Sequence, residues 1–117
     1  MIFTKVVPNI FYVDINDALR LFIDCLEFTI EHDELTSEQR FYVIEKNGLR
    51  INLFENEALA KEHNQELRLV TNDIDEVYKK VASRYISKLL RLPATLMLLL
   101  PREGIYLLLS DNSFFNF

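Results

Sequence analysis

Lys5–Phe28 reads KVVPNIFYVDINDALRLFIDCLEF: an extended apolar run, then a capping position, then a helical pattern. The chain repeats this order from Gln65, where QELRLVTNDIDEVYKKVAS gives a second alternating strand, an Asn-Asp-Ile-Asp-Glu start and a second helical pattern, with Asp14 matching Asp73 and Ala18 matching Val77 at one offset. An internal repeat constrains the architecture before any single element is assigned.

In the first copy Ala18, Leu21, Phe22, Cys25 and Leu26 fall on one face at helical spacing, while Asn16, Arg20 and Asp24 fall elsewhere. This pattern predicts a helix lying on a sheet. Asp14 is placed to cap its start, and Asp17 puts a negative charge in the first turn, where the helix dipole favours one. In the second copy Asn72 or Asp73 is the cap, the helix covers Asp73–Ser83, and Ile74, Val77, Tyr78 and Val81 form the buried stripe.

A chain of 117 residues is large enough for a core but too small for two domains of ordinary size, so each repeat is a half-domain. The net charge of -5 and pI near 5.0 argue against a nucleic-acid backbone as partner, which requires clustered Lys and Arg. The lone cysteine, Cys25, lies on the buried stripe and reads as a small core hydrophobe. With no disulfide framework, a reducing cytoplasm is the expected compartment. The N-terminus lacks the pattern of a secretory signal, and Leu89–Leu100, the other apolar stretch, carries Arg91 and is broken by Pro93, short of the roughly 20 residues a membrane span needs.

Between the two helices, Phe28–Glu31 reads as a strand entry and His32–Gln39 as a charged segment. Phe41–Lys46 and Leu49–Phe54 flank Asn47-Gly48, the preferred two-residue turn because both central positions need positive φ. One half is thus β-α-β-β-β, and Glu55–Asn64, polar and alanine-containing, reads as the linker between the halves, with room for a helical turn. In the second half Arg84–Arg102 is leucine-rich and has no clear assignment, although Thr95–Leu100 fits a buried strand. Ile105–Leu109, a turn at Ser110–Ser113 and Phe114–Phe117 read as a closing hairpin.

Tyr12, Asp14, the Ala18-Leu21-Phe22 trio and the Cys25-Leu26-Glu27-Phe28 ending resemble the opening of the vicinal oxygen chelate superfamily, whose usual form is V-x-D, A-x-x-F-Y and L-G-F. Leu49–Glu55, the Glu66–Val81 strand-helix unit and Asp111-Asn112 match in order and spacing. Pro8-Asn9 and Leu67-Arg68-Leu69 bring the chain nearest to the bleomycin resistance protein branch. The resemblance implies an α+β fold of paired β-α-β-β-β modules, whose curved mixed sheets enclose a ligand cleft, and a homodimer. One departure is Pro101-Arg102-Glu103-Gly104 where that branch carries Pro-Trp-Gly; this chain has no tryptophan.

In enzymes of the superfamily a divalent metal is held by four side chains, and the resemblance carries those positions onto Val7, Asn52, Glu66 and Asn116. Only Glu66 is a good ligand, so no metal and no other cofactor is expected. His32 and His63 fall in polar segments expected to be exposed loops. Strand alternation then proposes the cleft lining: Asn52 brings Arg50 and Phe54, Glu66 brings Arg68, Val7 brings Asn9 and Phe11, and Asn116 brings Phe114. The candidate ligand-binding residues are Asn9, Phe11, Arg50, Asn52, Phe54, Glu66, Arg68 and Asn116, a set suited to a planar or cationic small organic molecule. The plainer alternative makes Arg50, Glu66 and Arg68 a structural ion cluster and the phenylalanines core.

There is no catalytic constellation: two glycines cannot supply a phosphate loop, and no Ser or Cys has a His partner in the pattern. The expected function is a metal-independent, antibiotic-type binding protein resembling bleomycin resistance proteins. The alternatives are a lyase, isomerase or dioxygenase of the same superfamily with an atypical site, and a structural or regulatory dimer without a small ligand.

Overall fold

The structure is a computed structural model that describes residues 1–34, 40–62, 65–92, 95–100 and 105–111. It divides into two units, Met1–Leu59 and Ala60–Phe117.

The first unit contains β1 (Asn9–Tyr12), α1 (Ile15–Leu19) continuing into a π-helical segment Arg20–Cys25, then β2 (Thr29–Glu34), β3 (Phe41–Lys46) and β4 (Leu49–Glu55). The sheet order is β1-β4-β3-β2, with β1 parallel to β4 and the other pairs antiparallel. Asp14 caps α1 by accepting from the Asn16 N–H at 2.9 Å, and Glu55 at the end of β4 accepts from the Ile15 N–H at 2.9 Å, tying the helix start to the sheet. Asp17 pairs with Arg20 across the first turn. One sheet face, carrying Ile10, Tyr12, Tyr42, Ile44, Ile51 and Leu53, is buried, and so are Ile15, Ala18, Leu21, Phe22, Cys25 and Leu26 of the helical segment. The helical stripe is therefore as the spacing predicts, although its second half is wound as π rather than α.

The wider winding ends in a sharp stop. Glu27 has φ of 63°, with Leu26 N–H bonded to Leu21 C=O at 3.0 Å and Phe28 N–H to Phe22 C=O at 2.9 Å. This is a left-handed helix stop at a position where the resembled motif carries glycine. Lys46 Nζ donates to the Leu26 carbonyl at 2.8 Å, covering one of the last open acceptors. The β3–β4 turn is as expected: Asn47 and Gly48 have φ of 53° and 82°.

In the chain's linker region, α2 (Glu57–Glu62) forms and spans the boundary between the units. The second unit then has β5 (Gln65–Thr71), α3 (Ile74–Tyr85), a 3-10 turn at Ile86–Lys88, β6 (Leu89–Leu92), β7 (Thr95–Leu100) and β8 (Ile105–Asp111). Its order is β5-β8-β7-β6 with β5 parallel to β8, the same topology as the first unit. Asp73 is the cap of α3, accepting from the Glu76 N–H at 3.1 Å. Leu96, Leu98, Leu100, Leu107 and Leu109 are buried and share one face of this sheet by register. No helix among the described residues is long and apolar enough to cross a membrane.

Four expectations change. The segment from His32 is not wholly loop: β2 extends to Glu34 because His32, Asp33 and Glu34 continue to pair with β3. Within the leucine-rich Arg84–Arg102 region, Thr95–Leu100 is strand β7 as its pattern fits, while Arg84 and Tyr85 continue α3 and Leu89–Leu92 is strand β6, held by antiparallel pairing with β7. Ser110 and Asp111 are the last residues of β8 rather than a turn, held by parallel pairing with Val70 and Thr71. The extended run before α1 is regular only over Asn9–Tyr12, so Val7 precedes the strand. His63, Phe114 and Asn116 lie outside the described residues.

Glu27 is the most testable local feature. A side chain in the left-handed region costs about 1 kcal/mol or more, and the exposed Glu27–Lys46 ion pair at 3.6 Å returns little of it. After the extra unfolded-state entropy of glycine is subtracted, Glu27→Gly should stabilise the fold by about 0.5 kcal/mol or slightly more, raising Tm by roughly 2–4 °C in a thermal melt. Glu27→Ala should give no such gain.

Candidate functional site

The face of the first sheet turned away from its buried core is a grid set by register. Asn9, Asn52, Val43 and His32 lie in one row across the four strands, and Phe11, Phe54, Phe41 and Glu34 in the next. Arg50, Glu45 and Thr29 make the third row. Each row has its own chemistry.

The aromatic row is continuous. Phe11 and Phe54 stack with ring centroids 5.5 Å apart and 27° between planes, and Phe54 and Phe41 stack at 5.2 Å and 14°. The His32 ring stands 5.7 Å from Phe41, tilted by 56°, and its Nε2 lies 3.1 Å from a Glu34 carboxylate oxygen. In the amide row Asn52 Nδ2 donates to Asn9 Oδ1 at 2.9 Å. In the third row Arg50 pairs with its cross-strand neighbour Glu45 at 3.3 Å.

His32 reaches this face through a bulge. Register shifts between Ile30, opposite Ile44, and His32, opposite Val43, leaving Glu31 as the extra residue. Unbroken alternation from Ile30 through Glu31 would put His32 and Glu34 on the helix side; the bulge at Glu31 turns both toward Phe41.

Five of the proposed lining residues, Asn9, Phe11, Arg50, Asn52 and Phe54, therefore share one face of the first unit. Glu66 and Arg68 share a face of the second unit's sheet, where Arg68 Nη1 donates to Ser110 Oγ at 3.1 Å. Arg50 is paired with Glu45 within the first sheet. Six further residues share the face, Val43, Glu45, Thr29, Phe41, His32 and Glu34. Phe41 was readable, since a two-residue turn at Asn47-Gly48 pairs Lys46 with Leu49 and so Phe41 with Phe54. His32 and Glu34 were hidden by the bulge.

Of the positions carried over for a metal, the Val7 side chain has no donor atom, Asn52 offers a neutral amide whose nitrogen donates to Asn9, Glu66 is the one carboxylate, and Asn116 lies outside the described residues. Among the described residues no group of three His, Cys, Asp or Glu side chains is gathered for a metal ion.

No family sequence model and no curated protein sequence matches the chain. Solved structures do. The antibiotic-binding protein TnmS3 from a Streptomyces species superposes with a TM-score of 0.71 at 16% identity, over 95% of this chain and 98% of that one. The bleomycin resistance determinant encoded on transposon Tn5 gives 0.65 at 17% identity, over 94% and 98%. A member of the glyoxalase/bleomycin resistance protein/dioxygenase superfamily from Sphaerobacter thermophilus gives 0.65 at 21% identity, over 94% and 98%. The chain has the vicinal oxygen chelate fold. In a vicinal oxygen chelate fold, two copies of one β-α-β-β-β unit are the expected pattern, and both copies are present with the same strand order.

The row geometry makes a quantitative forecast about stability. Phe54 has a stacked partner on either side, whereas Phe11 and Phe41 are separated by it. Double-mutant cycles with alanine should give coupling of about 0.5–1.5 kcal/mol for Phe11/Phe54 and for Phe54/Phe41, and close to zero for Phe11/Phe41. Denaturant unfolding of the single and double variants measures all three.

Proposed function

We propose that the protein binds a small organic molecule on the aromatic and amide face of its first module, without a metal, as a homodimeric binding protein of the bleomycin-resistance type. The observation that carries this is the chemistry of that face: three phenylalanine rings in one row and an Asn9–Asn52 amide pair in the next, where an enzyme centre of this fold would need anionic or imidazole ligands. Apolar rings supply contact area and a few oriented polar groups fix the pose, which is what affinity without chemistry requires. Glu66 and Arg68 complete the proposed lining from the second module, either of the same chain or of a partner. Dimerisation follows from the same economy of size, since the first module offers a half-exposed sheet face with apolar rings that pairing would cover.

The supporting names among the structural neighbours are an antibiotic-binding protein and a bleomycin resistance determinant. Sequestration of an antibiotic needs only affinity and abundance, so loss of the ligand positions at Val7 and Asn52 is compatible with it. Bleomycin is the first compound to try, although the absence of tryptophan removes one stacking partner the branch uses.

The experiment is a thermal-shift screen of antibiotics and planar metabolites with and without chelator. Ligand stabilisation should be unchanged by EDTA, and zinc, nickel or manganese alone should shift Tm by less than about 1 °C, because only binding to the folded state stabilises it. Stoichiometric metal in the purified protein, lost on Glu66→Ala, overturns the metal-free reading. Light scattering at micromolar concentration should give the mass of a dimer; a monomer at every concentration removes that part of the proposal.

A further inference from the structure

The orientation of the aromatic row says which kind of molecule this face would hold, and this inference rests on the binding reading above. Side chains stand perpendicular to a sheet, and strands lie about 4.8 Å apart. Centroid separations of 5.5 and 5.2 Å with small interplanar angles are too short for rings lying flat side by side. The three rings are therefore upright and offset-stacked against one another like slats. Both faces of Phe54 are taken by its neighbours, and one face of Phe41 is taken by Phe54 while His32 stands beyond it.

A ligand approaching this face meets ring edges, not ring faces. That inverts the electrostatics, because an aromatic ring is negative on its faces and positive around its rim. A cation stacking on Phe54, the natural pose for an isolated phenylalanine, has no open face to use. What matches a row of positive C–H rims is the negative face of a second aromatic system lying flat across them, each rim making an edge-to-face contact.

The row has a length and an end. From Phe11 to Phe41 it spans two strand spacings, roughly 10 Å, the reach of two or three fused rings. At the β2 end stands the His32–Glu34 pair, brought there by the Glu31 bulge. When His32 Nε2–H donates to Glu34, its Nδ1 is the accepting nitrogen, suited to a hydroxyl or amine on the ligand.

We propose that this face binds a flat, electron-rich fused aromatic molecule lying across Phe11, Phe54 and Phe41, with a neutral hydrogen-bond donor at one end held by His32. The bulge at Glu31 gives the site its polar end, and the stacked row gives it its electronic preference.

The test uses three probes of nearly equal shape on the full chain: 2-naphthylmethanol, its ring-heptafluorinated counterpart and 2-methylnaphthalene, titrated by NMR with backbone and aromatic signals assigned. Fluorination reverses the ring quadrupole without changing the outline. 2-Naphthylmethanol should shift the Phe11, Phe41 and Phe54 signals and bind about tenfold more tightly than the fluorinated probe, a difference of ~1.4 kcal/mol. Phe54→Leu keeps apolar bulk but removes the middle ring, and should weaken binding by a similar factor. His32→Phe keeps a ring and removes the acceptor, so the preference for the alcohol over 2-methylnaphthalene should vanish. If Phe54→Leu does not fold by circular dichroism, Phe11→Leu at the outer end of the row replaces it. Equal or tighter binding of the fluorinated probe, shifts confined to other residues, or an undiminished alcohol preference in His32→Phe each overturns the proposal. If some other compound from the thermal-shift screen moves these same signals while the three probes do not, the ligand class is wrong and the binding reading stands. If no compound moves them, both fall.

Discussion

The parallel pairing of β1 with β4 is the constraint from which the chemistry of the first module follows. Its register, Asn9 with Asn52 through Tyr12 with Glu55, puts Ile10, Tyr12, Ile51 and Leu53 on the buried side and Asn9, Phe11, Asn52 and Phe54 on the other. A slip of one residue would bring Ile51 and Leu53 out and turn Asn52 inward, losing about 1.5–3 kcal/mol per aliphatic side chain and stranding an amide. The buried side thus enforces the position of every side chain on the exposed side. The aromatic and amide face inherits its precision from packing it takes no part in.

That dependence explains what could be read from the sequence. Capping at Asp14 and Asp73, the first helical stripe, the Asn47-Gly48 turn and the repeat all depend on residues close in the chain, and each is found as the local pattern gives it; of the second stripe Ile74 and Val81 are buried while Val77 and Tyr78 are half-buried. The placement of Asn9, Phe11, Asn52 and Phe54 on one face needed only period-two alternation, which holds wherever a strand is unbroken. The misses come where a distant partner overrides the local pattern. Ser110 and Asp111 look like a turn, yet β5 holds them extended. Leu89–Leu92 has no turn signal and no alternation, and becomes a strand only against β7. A one-residue bulge in β2 defeats parity altogether, so His32 and Glu34 could not be assigned to a face without the register.

The two modules share a backbone plan and differ in what it displays. Opposite the helix side, the first sheet shows rings, amides and an Arg50–Glu45 pair, while the second carries exposed Glu66 and Arg68 beside buried Leu108, Ser110 and Thr95. Duplication of a fold therefore does not duplicate a site, and likeness of fold to an antibiotic-binding protein is no guide to which residues do the work. The side chains at each register position are.

The edge strand β2 serves two demands that pull in different directions. An edge with free backbone groups invites pairing with another chain, and Thr29–Glu34, TIEHDE, counters it with charge and a bulge. The same bulge turns His32 and Glu34 across the sheet toward Phe41. An edge strand can carry such an irregularity cheaply because it has a neighbour on one side only, so one ladder is disturbed instead of two. In a central strand such as β4, an inserted residue would break both ladders and shift Phe54 out of line with Phe11 and Phe41. The polar end of the row sits at the edge because that is where the sheet can change parity without losing the register that holds its rings together.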